Sequence, residues 1–273
     1  MSRPGAIDPE TLMRTACEAV RAGGRALAPF ASRSRDLEVE EKALHDLVTA
    51  ADVASERAIV ALIRERHPDH AVLGEEEARA GLDTDRPRWL VDPLDGTANF
   101  VHGYPVWGVS VACTVDGRVV AGAILDPNRG ELFAAARGLG ARLDGERLRT
   151  SGRSSLKGAL IATGFPFRRL ARLEPFLDTL RAVLPAAAGV RRAGAASIDL
   201  AWVAAGRCDG FWEEGLGPWD IAAGSLLVEE AGGVVTDFTG GDRFLETGAV
   251  VAGPPGVHRE LRQIVERCQG AGA

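Results

Sequence analysis

The sequence predicts an α+β fold in which runs of antiparallel strands follow helices rather than alternating with them. Gly108-Val-Ser-Val-Ala-Cys-Thr-Val115 and Val119-Val-Ala-Gly-Ala-Ile-Leu125 flank Asp116-Gly117, a dipeptide suited to a tight hairpin turn, and a second strand pair surrounds Asp144-Gly145. Against a doubly wound sheet, neither a glycine-rich dinucleotide fingerprint nor a Walker loop is present; Gly138-Leu-Gly140 is too short for either.

The elements follow in order. Asp8-Pro9-Glu10 supplies an N-cap, a first-turn proline and an early acid for a helix that carries Leu12, Met13, Ala16 and Val20 and ends near Ala31. Leu37-Glu-Val-Glu-Glu41 alternates like a half-exposed strand. Lys42 to Thr49 leads into a second helix, stopped by Pro68 after Arg66, that turns Val53, Ile59, Val60 and Ile63 toward a core. Ala71-Val-Leu73 is a short strand ending in Gly74-Glu75-Glu76-Glu77, and Trp89-Leu-Val91 is a buried strand delivering acids to a loop that opens a short helix at Thr97. Further on come a strand at Ala159 to Ala162, an amphipathic helix over Arg168 to Leu184, a helix from Ser197 to Gly206 capped by Ser197, and a strand from Cys208 to Glu213. Pro218 begins the helix that holds Asp220.

With 273 residues and 46% hydrophobic content the chain can bury a sizeable core. The looser division falls near residue 150, giving halves 1–150 and 151–273 with no linker between them. A net charge of -6 argues against a nucleic-acid partner. The Met-Ser-Arg-Pro start lacks the apolar core of a signal peptide and no stretch has membrane length, so a cytoplasmic protein with no membrane partner is expected. Cys17, Cys113, Cys208 and Cys268 form no C-x-x-C pair, which argues against a zinc site, and most of them read as small core residues.

Chemistry concentrates at Asp92-Pro-Leu-Asp-Gly-Thr-Ala-Asn-Phe100. Pro93 keeps the segment out of regular helix, so a tight turn brings Asp92 and Asp95 to one point, where a hard divalent cation relieves their repulsion. Gly96 permits close backbone approach, and a helix start beside it suits an anion. An ordinary Asp/Pro/Gly turn fits the same residues. For Asp46, Thr49 and Asp52 the plain alternative is helix capping, for Asp220 a complement to the helix dipole, for Lys42 a solvated strand end, and for Glu75 to Glu77 a solvated acidic loop. His102, beyond the motif, reads as structural.

The Asp92 to Phe100 stretch, together with Trp219-Asp-Ile-Ala-Ala-Gly224 and Glu230-Ala-Gly-Gly233, resembles the two signature motifs of the inositol monophosphatase family, Mg²⁺-dependent and lithium-sensitive phosphatases. The resemblance runs from about Lys42 to Gly233. It implies a layered αβαβα sandwich, with an antiparallel sheet in the N-terminal half, a mixed sheet in the C-terminal half and the active site between them. It also implies a homodimer. One ion would take Glu75, Asp92 and the Leu94 carbonyl, and a second would take Asp92, Asp95 and Asp220. A third, weaker ion would sit at Glu75. An all-oxygen set of this kind suits Mg²⁺, or Mn²⁺, over zinc.

By the same resemblance Asp52 polarises Thr97, which readies the attacking water alongside Glu75. Asp95, Gly96 and Thr97 bind phosphate, Lys42 and Glu76 stand behind the metal ligands, and Gly194, Ala195, Ala196 and Glu213 contact the alcohol. Ala195 departs from the threonine or serine frequent at that position. Asn99-Phe100, where relatives acting on histidinol phosphate or phosphoadenosine phosphate have Lys-Ser-Phe or Lys-Glu-Phe, favours a small phosphorylated polyol or sugar substrate such as inositol monophosphate. Those two esters and fructose bisphosphate are the alternatives within the superfamily. A non-catalytic, metal-binding regulatory or scaffold protein is the alternative outside it.

Overall fold

Asp8 accepts hydrogen bonds from the Glu10 and Thr11 N–H groups, at 3.2 and 3.1 Å, and so starts α1 (Pro9–Ala31) where its residues predict. The computed structural model describes residues 8–32, 39–43, 46–75, 86–167 and 169–269, and only the backbone of those between 39 and 48. Next come β1 (Val39–Ala43), β2 (Asp46–Thr49), α2 (Ala50–Arg66), β3 (Ala71–Gly74), β4 (Arg88–Asp95) and α3 (Thr97–His102). Then follow β5 (Gly108–Val115), β6 (Arg118–Asp126), β7 (Glu131–Ala136), β8 (Gly140–Leu143), β9 (Glu146–Arg147) and β10 (Leu160–Thr163). The rest is α4 (Leu173–Val183), β11 (Gly189–Arg191), α5 (Ala196–Ala204), β12 (Gly210–Glu213), α6 (Pro218–Glu230), β13 (Val234–Thr236), α7 (Phe244–Thr247), β14 (Val250–Gly253) and α8 (Pro255–Gln269).

Two large sheets alternate with three helical layers, and β1 and β2 form a separate two-stranded sheet. α1 and α2 cover one face of a seven-stranded sheet ordered β3-β4-β5-β6-β7-β8-β9. α5 and α6 fill the space between it and a five-stranded sheet ordered β11-β10-β12-β14-β13, whose far side carries α4 and α8. This is the α+β sandwich that the sequence predicts. Both hairpins form as expected, with Asp116 at φ 49° and Gly117 at 73°, and Asp144 at 49° and Gly145 at 91°, the left-handed pair that a tight turn requires.

The structure corrects several local expectations. The first sheet is antiparallel except at its edge, where β3 runs parallel to β4 with Gly74 opposite Val91. β2 pairs antiparallel with β1, so Asp46 to Thr49 belongs to a strand rather than to a helix approach. Val53 is exposed, because α2 turns Asp52 and Ser55 inward with Ile59 and Ile63. The helix expected from Arg168 begins at Leu173, after a 3-10 turn over Leu170–Arg172.

β4 is buried on both faces, which accounts for its unbroken apolar run. Trp89 and Val91 pack with α1 and α2, whereas Leu90 joins the core of α5 and α6. Among the described residues no helix is long and apolar enough to cross a membrane. The four cysteines are free, and burial pushes the Cys113 and Cys208 thiols up to about 12.

α5 and α6 cross at Gly224, where an added Cβ would lie 2.5 Å from Leu200 Cβ, an atom with no freedom to swing away. Gly224→Ala should therefore lower stability by about 1 to 3 kcal/mol through overpacking. Helix propensity alone would raise it by about 1 kcal/mol. The sign of the shift in urea midpoint decides between the two.

Candidate active site

In a regular strand residues three apart face opposite ways. Asp92 and Asp95 escape this through a bulge: Asp92 pairs with Ser110 and Asp95 with Gly108, so β4 spends one residue more than β5 between those points. The acids therefore stand within the strand rather than in a turn beyond it, which corrects the sequence expectation. The Leu94 N–H donates to Asp92 Oδ1 at 3.0 Å, and Ser55 Oγ on α2 donates to the Pro93 carbonyl at 2.8 Å, holding the bulge from both sides.

The parallel pairing of β3 with β4 then places Glu75 beside Asp92, its N–H donating to the Val91 carbonyl at 3.1 Å. Asp220 arrives from α6, where its Oδ2 accepts the Gly217 N–H at 2.7 Å, and Ser110 Oγ ties that helix start to β5 by donating to the Trp219 carbonyl at 3.2 Å. One oxygen each of Asp92, Asp95 and Asp220 lies within 4.8 Å of the others. Glu75 stands outside that group, but its charge reaches Asp92.

Asp52 satisfies both of its predicted readings, one oxygen for each. Oδ2 accepts the Thr49 N–H at 2.8 Å and the Thr49 hydroxyl at 2.6 Å, a capping box that starts α2; Oδ1 accepts the Thr97 hydroxyl at 3.0 Å. The Leu94 carbonyl stands 3.1 Å from the same hydroxyl. Gly96 holds φ 88° at the start of α3, and a Cβ there would crowd the Val106 and Gly194 carbonyls and Ala195. Burial raises the Asp52 carboxyl above the usual range, against the pull of the Thr49 and Thr97 hydrogen bonds.

A cleft of about 180 Å³ opens over these groups. Glu75, Asp92, Leu94, Asp95, Gly96, Thr97 and Asp220 form its floor, and Gly194, Ala196 and Glu213 form a wall. Ala195 is buried behind that wall and does not line the cleft. Asn99 joins floor to wall, its Nδ2 donating to the Val106 and Ala193 carbonyls at 2.6 and 2.9 Å. Lys42 lies on β1 with its side chain outside the described residues, and Glu76 lies outside them altogether. Exposed His102 stays on its own helix, with Nδ1 2.8 Å from the Ala98 carbonyl.

Sequence reasoning missed the parts played by Ser197, Asp199 and Arg192. Ser197 does not cap its helix: Ala195 is the N-cap residue, and Asp95 Oδ2 accepts both the Ser197 N–H at 2.7 Å and its hydroxyl at 2.5 Å. Asp199, one turn in, is buried with Oδ1 unpartnered; burial first and Asp95 second push its carboxyl well up. Arg192 lines the cleft between Glu213 and the rings of Phe165 and Phe167. The signal for Arg192, a cation two residues before Gly194, was legible. Those for Ser197 and Asp199 were not, since only the tertiary fold brings α5 to β4.

Burial is the main reason these carboxyls hold their protons more tightly than usual. It lifts Asp92 well above the usual carboxylate range, with Glu75, Asp95 and Asp220 adding repulsion, and lifts Asp95 to about 7 with help from Asp220. Glu213 is likewise pushed well up, by burial and then by Asp199. Hard oxygen donors that repel one another this closely fit a divalent cation such as Mg²⁺. Asp95 binds its proton more tightly folded than unfolded, so without a cation its contribution to stability is lost as pH rises from 3.8 through about 7. In chelator, the melting temperature should fall more steeply across this window for the native chain than for Asp95→Asn. Near pH 8, Mg²⁺ should raise it by several degrees in the native chain and much less in the variant, by binding only the folded state. An equal response of both proteins to Mg²⁺ would remove Asp95 from the cation site.

The sequence profile of the inositol monophosphatase family matches residues 8–269. A Pseudomonas aeruginosa protein named Nus factor SuhB is 50% identical over 249 residues, 89% of this chain and 92% of that one. The extragenic suppressor protein SuhB from Bartonella henselae superposes with a TM-score of 0.89 at 40% identity, covering 94% of this chain and 99% of that one. An inositol monophosphatase from Anabaena does so with 0.83 at 36% identity, covering 94% and 96%. With its profile, its fold and its acid cluster in agreement, the chain belongs to the inositol monophosphatase family.

Proposed function

We propose that the chain hydrolyses small phosphomonoesters at the Asp92 cluster with two or three Mg²⁺ ions, and that inositol monophosphate or a related sugar phosphate is its substrate. The observation that carries this reading is the convergence of Asp92, Asp95 and Asp220 beside a hydroxyl held by a buried acid, Thr97 on Asp52. Asp92, Asp95, Asp220, Glu75 and the Leu94 carbonyl would hold the ions, whose bound charge supplies Lewis-acid polarisation of the phosphoryl group.

The chain's own groups do the rest. Thr97 gives its single proton to Asp52, so its lone pairs remain to accept a hydrogen bond from the attacking water and aim it. Glu75, on the cleft floor beside Asp92, takes up the proton that this water loses. The N–H groups of Gly96 and Thr97 meet the phosphoryl oxygens as charge grows on them. Gly194, Ala196 and Glu213 receive the alcohol, with Glu213 accepting hydrogen bonds from its hydroxyls. The departing alkoxide is protonated by water, and no phosphoenzyme is required.

The 50% identical relative is named as a factor rather than an enzyme, which supports a second reading: the same scaffold acts as a member of an assembly. In that reading contact is made through protein surfaces, since a net charge of -6 offers poor footing for a phosphate backbone. A Mg²⁺-dependent phosphate-release screen over inositol phosphates, sugar phosphates, fructose bisphosphate, histidinol phosphate and phosphoadenosine phosphate separates the readings.

With Mg²⁺ at least one of these esters should be cleaved, and chelator should stop it. Asp95→Asn should lower kcat by about a hundred- to a thousandfold, the effect of losing one preorganised charge at the reacting phosphoryl group. Full activity in that variant would withdraw the ligand assignment; no release from any ester would leave the assembly reading. Glu213→Gln should cost about ten- to a hundredfold in kcat/KM on a polyol phosphate, through a weakened charge-assisted hydrogen bond. A simple aryl phosphate, which offers no hydroxyls, should escape most of that loss. Thr97→Ala should depress both substrates together, and equal losses for Glu213→Gln would remove Glu213 from substrate recognition.

A further inference from the structure

β3 is a slight strand for the task of holding Glu75. It is four residues long, lies at the edge of its sheet, and Leu73 is its one deeply buried side chain. A short edge strand with a single apolar anchor has a poorly fixed register. A slip of one residue would carry Glu75 about 3.3 Å along β4 and turn it to the other face.

A polar anchor stands at the opposite end of the strand. His70, immediately before β3, accepts the indole N–H of Trp89 on Nδ1 at 3.1 Å, and Trp89 is fully buried in β4. The His70 ring stacks on that of His67, with centroids 4.6 Å apart and planes 17° apart, and His67 in turn lies 5.5 Å from the Trp89 ring. His67 ends α2, its N–H donating to the Ile63 carbonyl at 2.8 Å, and its Nε2 stands 3.0 Å from the Thr15 hydroxyl oxygen on α1. One stack of rings thus ties α1, α2 and the start of β3 to β4.

The partners fix the protons. An indole N–H only donates, so His70 Nδ1 carries a lone pair and the proton of that ring sits on Nε2. Thr15 gives its proton to the Thr11 carbonyl at 3.2 Å, so its oxygen accepts from His67 Nε2. Both rings are uncharged in this arrangement, and burial, the largest cause, holds both below their ordinary value of 6.5.

We infer that His70 and Trp89 are positioning residues for Glu75: their hydrogen bond fixes β3 against β4, so that the carboxyl at the far end of the strand reaches the cation site beside Asp92. His67, held by Thr15, braces the His70 ring from behind. The inference rests on the reading that Glu75 is a cation ligand.

Mn²⁺ is the probe, since the electron paramagnetic resonance signal of the free ion counts the ions bound and their affinities without any turnover. Each variant is titrated below its own melting temperature. Glu75→Gln measures what the loss of that ligand costs. His70→Leu and Trp89→Phe, which remove the acceptor and the donor in turn, should weaken the same ion about ten- to a hundredfold. His70→Asn places an oxygen where Nδ1 stood and should return the affinity to within about threefold of the native value. In the Glu75→Gln background, His70→Leu should add less than about twofold, because the hydrogen bond acts only through Glu75. Losses that add in full, or a His70→Leu variant that melts earlier yet binds Mn²⁺ as the native chain does, overturn the inference and assign the stack to stability alone. If Glu75→Gln binds Mn²⁺ as tightly as the native chain, the ligand reading of Glu75 falls and the inference falls with it.

Discussion

The structure depends on burying several carboxylates at one point. Such a cluster is costly, and here each acid is held by a backbone N–H: Asp52 by Thr49, Asp92 by Leu94, Asp95 by Ser197 and Asp220 by Gly217. Three of those donors stand at the starts of α2, α5 and α6, so the positive ends of three helices converge on the acids. At close range each end contributes about 0.3 to 1 kcal/mol, too little to cancel the repulsion. The weakened acidity of Asp92 and Asp95, from burial first and mutual repulsion second, expresses the remainder, which a divalent cation can relieve.

The same bonds organise the fold around the cleft. Asp95 joins β4 to α5, Ser110 joins β5 to α6, and Asn99 joins α3 to the wall at Ala193. A parallel edge strand in an otherwise antiparallel sheet has its reason here, since β3 and β4 must end at the same edge for Glu75 to meet Asp92. The polar inward face of α2 has the same origin: Ser55 and Asp52 support Pro93 and Thr97 instead of filling the core.

The two walls of the cleft differ in character. Glu213 and the backbone around Gly194 present polar groups, whereas Phe165 and Phe167 present rings rooted in the C-terminal core. Arg192 lies between them and is the charge that eases the burial of Glu213 and Asp199. In the proposed reading phosphate chemistry falls on β3, β4, α3 and α6, and alcohol recognition on β12 and the start of α5.

Local rules made much of this legible in the chain. Asp8-Pro9 and Pro218 start their helices because capping and a preset φ act within one turn, and Asp116-Gly117 and Asp144-Gly145 make their turns because so few residues tolerate left-handed backbone. The paired motifs carried the family, because the residue types around Asp92 and Asp220 recur in a fixed order. What the tertiary structure alone decided is which distant groups meet. No periodicity discloses that a bulge aligns Asp92 with Asp95, that Asp95 rather than Ser197 caps α5, or that a phenylalanine pair after β10 lines the same cleft as the acids. Each depends on the register between strands and the crossing of layers, which are set by the packing of residues some hundred positions apart in the chain, as Asp95 and Ser197 are with a separation of 102.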